Sequence, residues 1–291
     1  DWDEIIIVED NETRTFDIES VGVGVKNHYS WKEIEETLGS NAWIISKKDS
    51  AIRSFGFLMA YLKGADFIFS LDDDCYPVQP NFCQQHIKNM NTTAKWTESV
   101  IGMRTRGLPY KNLGKLDNIV LNMGLWEGVP DLDSIQSLSS PPINDFKPEQ
   151  PNRIMPVGQY FPLCGMNFGF KRQIAVLSYF APMGMNSPYH RFDDIWFGII
   201  LKKICDHCNF LISCGEPNVR HIRASDPFVN LKKEAPGIFA NEEFWEVIDN
   251  MTFAYLEPKL CLLQVSDFLK ENSDPYLQKY GEALKIWTSL F

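Results

Sequence analysis

No run of this sequence is apolar for long enough to cross a bilayer, so no helical membrane span is expected. No basic stripe interrupts a formal net charge of -10, which disfavours nucleic acid as a partner. The seven cysteines are odd in number and follow no disulfide-framework spacing, which fits reduced thiols in the cytosol. The opening residues Asp1-Trp2-Asp3-Glu4 are acidic and unlike a secretory n-region. The expected location is therefore cytoplasmic. What is present, 44% hydrophobic residues and eight Trp over 291 positions, describes a globular chain able to bury a large core.

The stretch Phe67-Ile68-Phe69-Ser70-Leu71-Asp72-Asp73-Asp74-Cys75 organises the rest: an aromatic and branched strand, then three carboxylates. Open α/β sheets bind ligands beyond the carboxyl ends of their strands, where these aspartates fall. Three adjacent carboxylates repel one another, and Mg²⁺ or Mn²⁺ relieves that repulsion while also holding phosphate oxygens. The plain alternative is an acidic turn stopped by Pro77.

Around it, Glu4 to Val8 reads as a strand and Trp31 to Leu38 as a helix with Ser30 as N-cap. Ala42 to Ser46 reads as a second strand, and Ala51 to Lys63 as a helix ended by Gly64. This alternation predicts an α/β fold, a mostly parallel sheet flanked by helices. Gln84 to Asn91 is expected to be helical, Ser99 to Met103 a strand, and Asp131 to Pro151 a long loop. Glu234 to Phe239, with its Pro-Gly pair, reads as a turn. Helices over Phe244 to Met251, Leu260 to Glu271 and Tyr276 to Leu290 make a C-terminal helical extension. The expected division is 1–240 and 241–291.

Further candidates follow. Arg53, in the first turn of its helix, makes with Lys47 and Lys48 a site for a pyrophosphate, although a solvated helix start has the same look. Gly165 permits backbone approach to a ligand. Asp193 and Asp194 open a helix; its dipole alone accounts for two acids there, and a general base or hydroxyl-binding pair is the functional reading. Cys205 and Cys208 have half a zinc spacing without a second pair, so ordinary packing is the better account. His221 follows a strand-like run and is either a metal ligand or a structural residue.

Together, several pieces resemble the reversibly glycosylated polypeptide family, the UDP-arabinopyranose mutases. They are Lys48-Asp49-Ser50-Ala51 with Arg53, Asp72-Asp73-Asp74-Cys75, Cys164-Gly165-Met166-Asn167, Arg191-Phe192-Asp193-Asp194-Ile195-Trp196, Cys205-Asp206-His207 and the run from Ala224 to Glu234. The resemblance implies a GT-A-like fold, a UDP-sugar held through Mn²⁺ or Mg²⁺, homo- or hetero-oligomers, and a cytosolic or Golgi-surface location. It places the metal on Asp72, Asp74 and His221, the nucleotide sugar on Lys48, Asp49, Arg53, Asp72, Asp73 and Gly165, and catalysis on Asp193, Asp194 and Arg106. Arg106-Gly107-Leu108-Pro109-Tyr110 takes the place of the glycosylated arginine motif, with Leu108 replacing an aromatic residue. Where the family has a second arginine, this chain offers Lys111 or Lys115, and lysine lacks the bidentate fork. The family also has a strand and helix ahead of the segment matching Glu4 to Val8, so a fragment, a processed form or a divergent member is expected. The implied activity is pyranose/furanose interconversion of a UDP-sugar. The alternatives are a self-glycosylating or acceptor-dependent transferase and a non-catalytic partner of an active homologue.

Overall fold

A computed structural model describes residues 2–18, 27–91, 93–99, 103, 106–140, 143–148, 151–223 and 225–291. The chain begins with two short strands, β1 (Ile6–Val8) and β2 (Asn27–Tyr29), paired in parallel. Helix α1 (Trp31–Leu38) starts on a capping box in which the Ser30 N–H and hydroxyl both donate to Glu33. Helix α2 (Arg53–Leu62) follows a 3₁₀ turn over Ser50–Ile52 and leads into β3 (Phe67–Leu71). Gly64, at φ 86°, makes the reversal between them. Next come β4 (Cys75–Pro77), α3 (Phe82–Asn91), β5 (Ile119–Gly128), α4 (Ser134–Ser139), β6 (Arg153–Ile154) and β7 (Asn167–Lys171). The chain ends with α5 (Asp193–His207), β8 (Leu211–His221), α6 (Pro227–Asp249), α7 (Pro258–Lys270) and α8 (Pro275–Ser289).

The larger sheet has the order β3-β7-β5-β8-β4, with β6 also on β8. β3, β5 and β8 share one direction, and β5–β8 is a long parallel ladder. β7 inserts antiparallel between β3 and β5, and β4 and β6 run antiparallel to β8. Most strand residues thus point one way, while the sheet is mixed in its pairing. The α/β class with flanking helices and a helical C-terminus is as the sequence implied.

Alternation along β7 sends its side chains to opposite faces. Phe168 packs on Phe57 of α2 and Phe197 of α5, whereas Gly169 lies against His86 of α3. The C-terminal helices join the same core: Trp287 stacks on Tyr179 and donates its indole N–H to the Val176 carbonyl at 2.8 Å.

Three sequence expectations change. Ala42 to Ser46 is not a strand; Gly39–Ile44 forms a 3₁₀ helix, because a short apolar run alone does not choose between helix and strand. The 131–151 loop contains α4, capped by the Asp133 side chain on the Gln136 N–H. Pro236-Gly237 is no turn but lies inside α6. A helix tolerates a proline where neighbours hold its face, and Gly237 lets the Phe192 ring approach. The Ser99–Met103 strand falls mostly on residues outside the described ones.

Candidate active site

The carboxyl end of β3 delivers Asp72, and the segment entering β7 lies alongside: the Asp72 N–H donates to the Met166 carbonyl at 3.3 Å. Arg53 of α2 reaches into this corner and is locked by four partners. Its Nη2 pairs with Asp72 Oδ1 at 2.7 Å, and its Nη1 donates to the Gly165 carbonyl (2.7 Å) and Ser70 Oγ (3.0 Å). Its Nε donates to the Ser50 carbonyl at 3.1 Å, and the Phe180 ring lies 5.4 Å from the guanidinium. A fork so fixed loses little freedom when it meets an anion.

A second group of carboxylates surrounds the same guanidinium. Asp193 is buried at the start of α5 and accepts from the Ser50 hydroxyl. Asp194 Oδ2 accepts from the Gly165 N–H at 2.8 Å. Asp49 accepts from Ser46 Oγ at 2.5 Å, and the Met183 and Ala51 backbone also faces its carboxylate. Burial and the neighbouring Asp193 push the Asp49 carboxyl up to about 7. Burial, then Asp193 and Asp131, push Asp194 up to about 8. Burial also raises Asp193, with the Ser50 hydroxyl, Arg53 and Arg191 offsetting part of the effect. Burial and mutual repulsion thus raise all three carboxyls, with Arg53 offsetting part of the effect on Asp193 and Asp194. Gly165 belongs to this arrangement as a spacing element: a Cβ there would lie 2.9 Å from Phe180 and 3.3 Å from Asp194 Oδ2.

The third group is Asp74 with His221. The imidazole Nδ1 donates to the Val129 carbonyl at 2.8 Å, because a carbonyl can only accept. Nε2 then faces Asp74 Oδ2 at 3.8 Å. An imidazole oriented through one nitrogen by a backbone carbonyl, with the other turned toward a carboxylate, has the arrangement of a metal-binding histidine. Among the described residues, no three His, Cys, Asp or Glu side chains form a metal shell by themselves. A carboxylate and an imidazole fit a hard or borderline divalent ion that keeps its other positions for phosphate and water.

The expected residues do not all converge. Asp72 is engaged by Arg53, and Asp73 is exposed. Lys48 is exposed with φ 66°; its N–H donates to Asp10 Oδ2 and its Nζ to the Asp10 carbonyl, which ties it to the end of β1. Arg106 stands exposed in a turn before Gly107 at φ 108°. Cys205 and Cys208 are both buried thiols at the end of α5. Sequence reasoning missed Ser46, Ser50 and Ser70, whose hydroxyls fix the acids and Arg53, and Asp131, which accepts the Cys164 thiol at 3.1 Å. Ser50 was within reach, since it lies inside a motif already singled out; Asp131 had no signal beyond a polar loop.

An open α/β sheet with acids and one immobilised guanidinium gathered beside a strand end defines a ligand-binding α/β protein. The chain belongs to the reversibly glycosylated polypeptide family, whose description it matches over residues 3–291. It is 34% identical over 280 residues to "UDP-arabinopyranose mutase 2" of Arabidopsis thaliana, covering 89% of this chain and 76% of that protein. It is 35% identical over 283 residues to "Probable UDP-arabinopyranose mutase 1" of Zea mays, with the same coverage. "UDP-arabinopyranose mutase 1" of Oryza sativa subsp. japonica is 34% identical over 283 residues, again at 89% and 76%. No described helix is long and apolar enough to cross a membrane.

Proposed function

We propose that this chain is a UDP-sugar mutase that interconverts the pyranose and furanose rings of UDP-arabinose on a GT-A-like scaffold. The observation that carries the reading is the convergence of Asp72, Asp193 and Asp194 on Arg53, with Asp194 also held by the Gly165 N–H. The bond from the anomeric carbon to the phosphate oxygen breaks, and its electron pair leaves with the diphosphate. Arg53, already held in place, balances that charge without reorganising. A change of ring size then moves one proton, from the hydroxyl that closes the new ring to the oxygen released from the old one. Carboxyls whose proton affinity burial has raised can accept the first and supply the second, which we assign to Asp193 and Asp194. The sugar then returns to the diphosphate, and the cluster is restored.

Asp74 and His221 would hold a divalent ion, with Asp72 and Asp73 at its margin; the ion supplies positive charge to the diphosphate. Arg106 favours a second reading, a self-glycosylating protein, because it is exposed in a turn open to solvent. A guanidinium stays protonated and is a poor nucleophile, so the mutase reading leads. The test incubates pure protein with Mn²⁺ and UDP-arabinopyranose and resolves the nucleotide sugars by chromatography. UDP-arabinofuranose supports the mutase. Labelled protein without it supports self-glycosylation, and neither product leaves a binding subunit.

A further inference from the structure

Glu234 lies on α6, at the end of the Ala224–Glu234 motif, and none of the chemistry above uses it. It is 4% exposed, and its two oxygens hold two different parts of the chain. Oε1 accepts from Arg191 Nε at 2.6 Å. Oε2 accepts from the Ser134 backbone N–H at 2.8 Å.

On the first side, Arg191 sits two residues before Asp193 with φ 63°, a left-handed backbone that is costly for a residue with a Cβ. Surroundings must hold it there. One turn further along α6, Gly237 receives the ring of Phe192; a Cβ would stand 2.5 Å from its Cδ2. Glu234 and Gly237 thus grip both residues that precede the Asp193–Asp194 pair.

On the second side, Ser134 opens α4, and the residues just before it serve the other half of the site. The Val129 carbonyl orients His221, and the Asp131 carboxylate takes the Cys164 thiol beside Gly165. The geometry points to Glu234 as a positioning residue that sets the spacing between the Asp193–Asp194 pair and the His221–Asp74 pair. Its catalytic consequence rests on the mutase reading; the coupling of the two segments does not. A carboxylate that served only to satisfy α4 and stabilise the fold would leave no trace in turnover once the variant was folded.

The test uses the full chain with Glu234→Gln and Glu234→Ala. Gln keeps an oxygen for the Ser134 N–H but turns an uncharged amide to Arg191. Amide hydrogen exchange over 129–134 and 190–195 is read beside kcat, KM and the pH profile of kcat. In Glu234→Ala, both segments exchange faster together, kcat falls on the order of 10- to 100-fold, and KM moves by less than about threefold. In Glu234→Gln, 190–195 loosens while 129–134 keeps its protection, kcat is intermediate, and the pH profile shifts as Arg191 leaves its place near Asp193. Exchange that rises in one segment only in Glu234→Ala, or in neither, overturns the proposal, as does unchanged kcat with reduced thermal stability alone. Should Glu234→Ala fail to fold, the Gln variant decides by the same readings. A wild-type chain without mutase activity sinks the functional reading, while the exchange pattern still judges the coupling.

Discussion

On one face of β7, His86 sits between the Asn122 and Asn167 amide oxygens at 2.7 and 3.1 Å. Asn167 spends its own N–H groups on the Leu125 and Pro217 carbonyls, and Asn122 donates to Asn152 and Ser213. Beside the segment entering β7, Asp72, Asp193 and Asp194 surround the Arg53 guanidinium, and Asp49 lies against Asp193. Both clusters are polar and lie on the core. The first carries no formal charge; burial holds the His86 imidazole down to about 4, so its single N–H serves one of the two oxygens. The second keeps charge that folding alone does not need. A network of neutral, paired groups serves packing, whereas carboxyls raised toward neutrality by burial and by one another mark a place where protons are handled.

The comparison can be broken in order of effect. Arg53→Ala leaves the acids without their cation and is expected to cost about 1.5–3 kcal/mol in urea denaturation, as loss of a half-buried charged hydrogen-bonding group does. Asp194→Asn removes the proton carrier: kcat for ring interconversion is expected to fall by on the order of 10²-fold or more, while urea stability at pH 8 rises. His86→Leu leaves the Asn122 and Asn167 oxygens facing an apolar side chain. It should cost about 1–3 kcal/mol by denaturation and leave UDP affinity by calorimetry unchanged. Equal loss of activity in the His86 and Asp194 variants would erase the distinction between the two clusters.

The smallest effect is a slope with pH. Carboxyls raised in the folded chain bind more protons there than in the unfolded chain, so their contribution is fully present below about pH 4 and is lost as pH rises toward 8. Stability without ligand should therefore fall across pH 6.5–8, by at most about 1.4 kcal/mol per pH unit for each proton released. The Asp194→Asn variant should show a shallower fall. His86 has the opposite sign, since its lowered value costs stability as pH drops from about 6.5 to 4. A flat profile above pH 6.5 in thermal melts would mean that burial has not raised these acids.

How much of this was legible varies residue by residue. The strand into Asp72, the helix opening at Asp193 and the cap of α1 were readable because each is a local pattern, enforced by alternation or by unpaired N–H groups. The 3₁₀ helix at Gly39–Ile44 was not, since its apolar residues fit either structure until Ile44 met the core. Pro236-Gly237 misled for the same reason: the pair signals a turn only when nothing packs on it.

By itself, the sequence determined the α/β class, the acids at the strand end and the membership that its motifs spell out, because these depend on residue type and near spacing. Only the tertiary structure decided that Arg53 takes Asp72, that Asp49 joins Asp193 and Ser50 bonds Asp193 across 143 positions of chain, and that His221 faces Asp74. Those pairings set the protonation of the site. They arise from burial and from charges brought close by folding, and neither is a property of any residue along the chain.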